Sequence, residues 1–132
     1  MITYDYKTKV YYKDIDQMGL VYYTRYLEYF EAARTEMLKS IGLIVTDIEN
    51  EGFFLPVVSA HCDYKKGAQF EDEIIIRTSI NEKPKARLKI DYEVLKDDAV
   101  LATGYTVHGF TDHEGNAKRP PKSFQKVMEK YF

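Results

Sequence analysis

The sequence predicts an α+β fold in which a five-stranded, mainly antiparallel sheet wraps around one long helix. Three observations lead there. Only one long stretch carries apolar residues at helical spacing over several turns, and five stretches alternate apolar and polar residues with the period of two that a half-buried strand requires. The last four of those strands are joined mostly by tight turns, whereas parallel pairing needs a long crossover. The 132 residues amount to about one domain. No repeat, low-complexity run or linker divides them, so residues 1–132 are read as a single domain.

The elements follow in order. Tyr6, Thr8, Val10 and Tyr12 alternate with Lys7, Lys9, Tyr11 and Lys13, a first strand that ends near Lys13. From Thr24 to Ile41, Leu27, Phe30, Ala33, Met37, Leu38 and Ile41 form one apolar stripe on a helix of about five turns. Thr24 is placed as its N-cap and Gly42 just past its end, where left-handed backbone costs Gly little. Thr46 and Glu49 have capping-box spacing for a short second helix closed by Gly52. Phe53 to Lys66 sets Ser59, His61 and Asp63 against Ala60, Cys62 and Tyr64, and Pro56 marks an edge or bulge near its start. Asp72 to Ile80 carries Ile74, Ile76, Thr78 and Ile80 on one face. Arg87 to Leu95 carries Leu88, Ile90, Tyr92 and Val94 against Lys89, Asp91 and Glu93. A turn at Lys96-Asp97-Asp98 leads into a last strand, Val100 to Thr111, and Asp112 to Asn116 makes another turn. After Pro120-Pro121, Phe124, Val127, Met128 and Tyr131 define a terminal helix. One long helix cannot cover both faces of this sheet, so the other face is expected to be apolar and to meet a partner, most simply a second copy of the chain.

Composition narrows function. With 19 basic and 21 acidic residues the net charge is −2, so no global positive field exists for nucleic-acid binding, which rests on neutralising several phosphates. Cys62 is the single cysteine; it forms no internal disulfide, and no Cys/His group has zinc-site spacing, so no metal is expected and a reducing compartment fits. The first residues lack a signal-peptide pattern, and no stretch approaches the ~20 apolar residues that cross a bilayer. These features read as a cytoplasmic protein. The aromatics are 12 Tyr and 7 Phe with no Trp, and the tyrosines crowd toward the amino-terminal side of the chain.

The most unusual stretch is Tyr12-Lys13-Asp14-Ile15-Asp16-Gln17-Met18-Gly19-Leu20-Val21-Tyr22-Tyr23, between the first strand and the long helix. It sets carboxylates beside the unpaired N–H groups of a helix start. Such donors hold a developing oxyanion, and a nearby carboxylate serves as base or nucleophile. On residue chemistry alone an equally simple reading stands: Asp14 and Asp16 are turn and capping acids.

The run from Asp14 to Arg34 resembles the signature of hotdog-fold acyl-CoA thioesterases, the hydroxybenzoyl-CoA thioesterase and YbgC-like group. Gln69-Phe70-Glu71-Asp72-Glu73-Ile74 is similar to that family's turn into its third strand, and Gly104 to Pro120 to its closing strand, so the resemblance covers essentially the whole chain. It implies that Asp16 acts on the thioester, as a nucleophile giving a mixed anhydride or as a base activating water, and that the backbone N–H of Tyr23 holds the thioester oxygen. It also implies an active-site role for Tyr12, a supporting role for Asp14, and substrate contacts for Gly19, Val21 and Tyr22. One departure is specific: Tyr23 stands where the YbgC-like branch carries His, and a phenol with an ordinary pKa near ~10 is a poor base at neutral pH.

Coenzyme A carries phosphates, which basic side chains recognise. Lys65, Lys66 and Arg87 are the chosen contacts, with Lys83, Lys85, Lys118 and Arg119 as further basic residues; Gly67 replaces a Pro common in relatives. CoA is part of the substrate and no separate cofactor is implied. The implied assembly is a homodimer or homotetramer with the acyl channel between one subunit's helix start and its partner's strands. A non-catalytic acyl-thioester or acyl-carrier-protein binding module is the alternative. A hotdog dehydratase is disfavoured because it needs a His with its acid, and no His lies near Asp16 in the sequence. His61, His108 and His113 are read as structural or surface residues, adjacent His61 and Cys62 point to opposite strand faces, and Glu31 and Arg34 are placed to form an ion pair on the helix.

Overall fold

The computed structural model describes residues 1–132. The chain forms β1 (Ile2–Lys9), α1 (Arg25–Ser40), α2 (Val45–Asn50), β2 (Val57–Tyr64), β3 (Glu73–Ile80), β4 (Leu88–Lys96), β5 (Ala99–His108) and α3 (Lys122–Tyr131). The sheet order is β1-β3-β4-β5-β2, and every neighbouring pair is antiparallel. The segment holding α1 and α2 therefore carries the chain from one edge of the sheet to the other. The predicted α+β architecture, a hotdog-type sheet wrapped on one long helix, is the one observed.

Register explains which residues meet the helix. Ile76, Val94 and Ala102 share one row, as do Thr78, Tyr92 and Gly104, so the alternating residues of β3, β4 and β5 face α1 together. Phe30 of α1 stacks on Tyr92 with ring centroids 4.2 Å apart. Gly104 makes room for this: a Cβ there would collide with the His61 carbonyl and the Phe30 ring. Phe30, Ala33, Met37, Ile76 and Ile90 are fully buried. The stripe read from the sequence packs from Phe30 to Leu38, whereas Leu27 at its start is exposed and Tyr26 and Tyr29 are buried instead.

Several local expectations change. β1 begins at Ile2 and stops at Lys9, and Tyr12–Asp14 is a 3-10 turn. The reason is Asp14, whose Oδ2 accepts the Tyr11 N–H at 2.9 Å and so offers the backbone an alternative to the ladder. Thr24 precedes α1, but its backbone is already helical and its side chain makes no capping bond. α2 starts at Val45 with Thr46 inside it rather than capping it. Glu31 and Arg34 make no ion pair; α1 instead pairs Arg25 with Glu28 at 2.8 Å, and Arg34 borders a cleft with Leu38, Leu55 and His108.

The face of the sheet away from α1 is polar, against the expectation of an apolar one. Asp5, Arg77 and Glu93 lie in one row across it, and Arg77 grips Asp5 through two bonds of 3.0 and 3.1 Å. Strand alternation here buries one set of residues and solvates the other, which needs no cover. Exposed backbone and apolar side chains gather instead on the edge strand β2, where Val57 and Val58 are 46% and 49% exposed. No helix is long and apolar enough to cross a membrane.

Candidate active site

The loop between β1 and α1 is pinned from below. Val10 N–H donates to the Asp72 carbonyl and Glu71 N–H to the Val10 carbonyl, both at 2.9 Å. The Asp72 carboxylate accepts the Gln69 N–H at 2.8 Å and pairs with Lys96 at 2.9 Å. Burial alone would raise the Asp72 carboxyl, but these two partners outweigh it and hold it below the usual carboxylate range. Higher in the loop, Val21 N–H donates to the Ala68 carbonyl and Tyr22 N–H to the Asp14 carbonyl. The turn at 69–72 thus serves as a base for the loop.

Asp16 sits in a tight turn. Its N–H donates to the Leu20 carbonyl and its carbonyl accepts the Gly19 N–H, and Gly19 adopts φ of 78°, a region that favours Gly. The carboxylate Oδ1 accepts Met18 N–H at 2.8 Å and Leu20 N–H at 3.4 Å, while Oδ2 takes no bond from the protein. At the head of α1, Tyr23 N–H donates to no group in the chain.

These features border one cleft of about 290 Å³, which brings together Asp16, Val21, Tyr22, Tyr23, Lys65 and Lys66. Gly19 shapes the Asp16 turn without lining that cleft. Tyr12 also lies outside it, 77% exposed with its ring edge-on to Phe70 at 5.8 Å, because the 3-10 turn directs it away. Arg87 follows the β3–β4 connection at the far end of the sheet and lines neither of the two clefts that hold the basic clusters. Near it, Lys83, Lys85, Lys118 and Arg119 converge around a cavity of about 540 Å³ floored by Phe124 and Met128.

Four residues lining the Asp16 cleft, Leu20, Tyr26, Tyr64 and Gly67, were not among the site residues chosen from the sequence, and two of them carry hydroxyls. The Tyr64 hydroxyl donates to the Tyr23 carbonyl at 3.1 Å, and the Tyr26 hydroxyl accepts the Ala68 N–H at 3.3 Å. Desolvation first, and then the nearby Cys62, push the Tyr64 phenol up to about 12, so it is a donor at neutral pH. The alternation that put Tyr64 on the helix-facing side with Cys62 was the available signal. Burial also raises the Cys62 thiol.

The remaining candidates lie outside this cleft. Asp14 is 5% exposed and fixes the 3-10 turn. Beside it the buried Tyr29 hydroxyl has no hydrogen-bond partner, and burial followed by the Asp14 charge raises its phenol far above the ordinary range. His61 pairs with Asp63 at 3.0 Å, His113 donates to the Glu49 carbonyl at 2.8 Å, and His108 is 3% exposed in the core. None borders the Asp16 cleft, and no group of three His, Cys, Asp or Glu side chains gathers to hold a metal.

A carboxylate with a free oxygen and a helix-start N–H with no partner thus border one cleft, on a fold of the class shared by hotdog thioester hydrolases. A model of the Thioesterase-like superfamily matches residues 10–130, and the chain belongs to that family. The acyl-CoA thioesterase YbgC of Haemophilus influenzae is 27% identical over 130 residues, spanning 98% of this chain and 93% of the relative. A 1,4-dihydroxy-2-naphthoyl-CoA hydrolase of Synechocystis is 31% identical over 111 residues, spanning 82% of this chain and 80% of its own. The crystal structure of a hypothetical protein, TT1821, from Thermus thermophilus superposes with a TM-score of 0.92 at 30% identity, covering 99% and 98% of the two chains.

Proposed function

We propose that this protein hydrolyses an acyl-CoA thioester to the free acid and CoA, using Asp16 as base or nucleophile and the Tyr23 N–H as oxyanion donor. The observation that carries this reading is the pairing, across one cleft, of the unengaged Asp16 Oδ2 with the unpartnered Tyr23 N–H. With the thioester oxygen on that N–H, charge developing on it meets the positive end of α1. Asp16 then either takes a proton from the attacking water or adds directly to the carbonyl. In the first case Asp16 returns that proton to the sulfur as the C–S bond breaks. In the second CoA leaves as the thiolate, and water then hydrolyses the mixed anhydride to the acid and the free Asp16 carboxylate. The proton released by that water goes to the thiolate, so each route consumes one water. Lys65 and Lys66 stand at the same cleft and suit an anionic substrate.

The working unit is proposed to be a homodimer formed through β2. Antiparallel docking of two β2 edges sets the Tyr64 end of one strand beside the Val57 end of the other. Val57 is in register with His108, and His108 with Leu88, which follows the β3–β4 connection. That arrangement carries the partner's Lys83, Lys85, Lys118 and Arg119 toward the Asp16 cleft, where they suit CoA phosphates.

The test is thiol release from short-chain, long-chain and aromatic acyl-CoAs by the parent and by Asp16→Asn. The parent is expected to turn over at least one of them, and the variant to lose on the order of 10²–10⁴-fold in kcat. A folded Asp16→Asn protein with parental turnover would refute the mechanism. A parent that binds acyl-CoA or acyl-carrier protein without releasing thiol would leave a binding module.

A further inference from the structure

Tyr64 is the point where the edge strand β2 touches the head of α1. Its hydroxyl bonds the Tyr23 carbonyl at 3.1 Å, while the helical partner of that carbonyl, the Tyr26 N–H, is at 3.4 Å. The strand thus makes the shorter bond. Its ring packs edge-on to Tyr23 at 6.3 Å and lies against Tyr26 at 5.3 Å, and Tyr26 is itself tied to Ala68.

The peptide groups on both sides of the Tyr23 Cα are held by different elements. Before it, the Tyr22 N–H is bound to the Asp14 carbonyl and the Tyr22 carbonyl accepts the Arg25 N–H, both at 2.9 Å. After it, the carbonyl is held chiefly by Tyr64. The Tyr23 N–H shares the plane of the Tyr22 carbonyl, the Thr24 N–H shares that of the Tyr23 carbonyl, and neither donates to a group in the chain. A donor aimed in advance contributes more to a transition state than one that must be ordered during reaction.

We infer that Tyr64 is a positioning residue for thioester cleavage: by holding the Tyr23 carbonyl its hydroxyl keeps closed the 22–25 turn in which the Tyr22 carbonyl, coplanar with the Tyr23 N–H, accepts from Arg25, so that the Tyr23 N–H stays aimed at the thioester oxygen. This rests on the reading of the cleft given above. It also ties the site to assembly, because Tyr64 ends the same strand whose free edge suits a second copy. Its role is distinct from that of a wall for the acyl group, which the ring alone would fill.

Two measurements test it. Backbone amide relaxation on the parent reads the positioning without reference to catalysis. The Tyr23 amide is expected to be as ordered as the interior of α1, with S² near ~0.85, and to loosen in Tyr64→Phe while that interior is unchanged. A mobile Tyr23 amide in the parent, or one equally rigid in both proteins, overturns the inference even if no acyl-CoA is ever turned over. In steady-state kinetics, Tyr64→Phe is expected to lose about tenfold in kcat with KM within about twofold, less than the loss on deleting an oxyanion donor outright. Parental kcat, or a raised KM at parental kcat, makes Tyr64 a binding wall and sinks the proposal. If the parent hydrolyses nothing, the functional reading fails on its own and the amide measurement still decides the bracing.

Discussion

At the scale of single residues, the buried polar chain under α1 has a direction fixed by hydrogen-bond chemistry. The Leu55 carbonyl only accepts, so His108 donates to it from Nδ1 at 3.1 Å. Its Nε2 therefore accepts from Thr106 at 2.9 Å, and Thr106 accepts from the Tyr92 hydroxyl at 2.7 Å. A proton on Nε2 would break this order. Burial foremost, and the Arg34 charge after it, lower the His108 pKa despite the opposing Leu55 bond. The unfolded chain then binds the proton more readily than the folded one, so stability is complete above the unfolded value of ~6.5 and declines as pH falls below it. Urea unfolding between pH 7.5 and 5.5 is expected to show that decline, and His108→Gln to flatten it; an equal slope in both proteins would contradict the assignment. Gly104→Ala tests a different residue-scale constraint. Its methyl has no room between the His61 carbonyl and the Phe30 ring, and a loss of ~1–3 kcal/mol in urea unfolding is expected; an unchanged midpoint would mean that β5 and Phe30 give way freely.

At the scale of elements, the active-site loop depends on the start of β3. The Asp72 backbone carbonyl holds Val10, and its carboxylate ties the Gln69 turn to Lys96 of β4. Asp72→Asn is expected to cost ~1–2 kcal/mol at neutral pH. Because the folded carboxyl is lowered, this stability is present above the unfolded value of ~3.9 and is lost as pH falls through the folded one. The difference between parent and Asp72→Asn in denaturant unfolding should therefore shrink toward acid pH, and a constant difference would assign the effect to something other than charge. The same scale shows where sequence patterning was sufficient and where it was not. α1 and the inward faces of β3 and β4 were legible because their periodicity is driven by burial. The end of β1 was not, because Tyr12 continues the alternation while the Asp14 carboxylate, two residues on, takes the Tyr11 N–H out of the ladder.

At the scale of the whole molecule, β1 and β2 are the two edges of the sheet, and the β2 edge carries exposed valines. β2 pairs only with β5, and Val57 and Val58 stand exposed beside its free edge, a surface that invites another strand. Light scattering is expected to give a dimer, and the double substitution Val57→Lys, Val58→Lys to shift it toward monomer with loss of thiol release. A parent that stays monomeric at assay concentrations would exclude a cleft completed by a partner.

The amino-acid sequence alone determined the order of the elements, the helix stripe, the strand faces and the carboxylate in the loop before the helix. These are properties of local periodicity, turn chemistry and an unbroken run of residues. Tertiary structure decided what depends on register and crossing. It left the unpaired surface at the edge of β2 rather than on the second face of the sheet, and turned Tyr12 away from the cleft. It also brought Tyr64, 41 residues from Tyr23 in sequence, to the carbonyl of the residue that supplies the oxyanion donor. That contact exists only because the chain crosses from one edge of the sheet to the other through α1, and no spacing along the sequence encodes such a meeting.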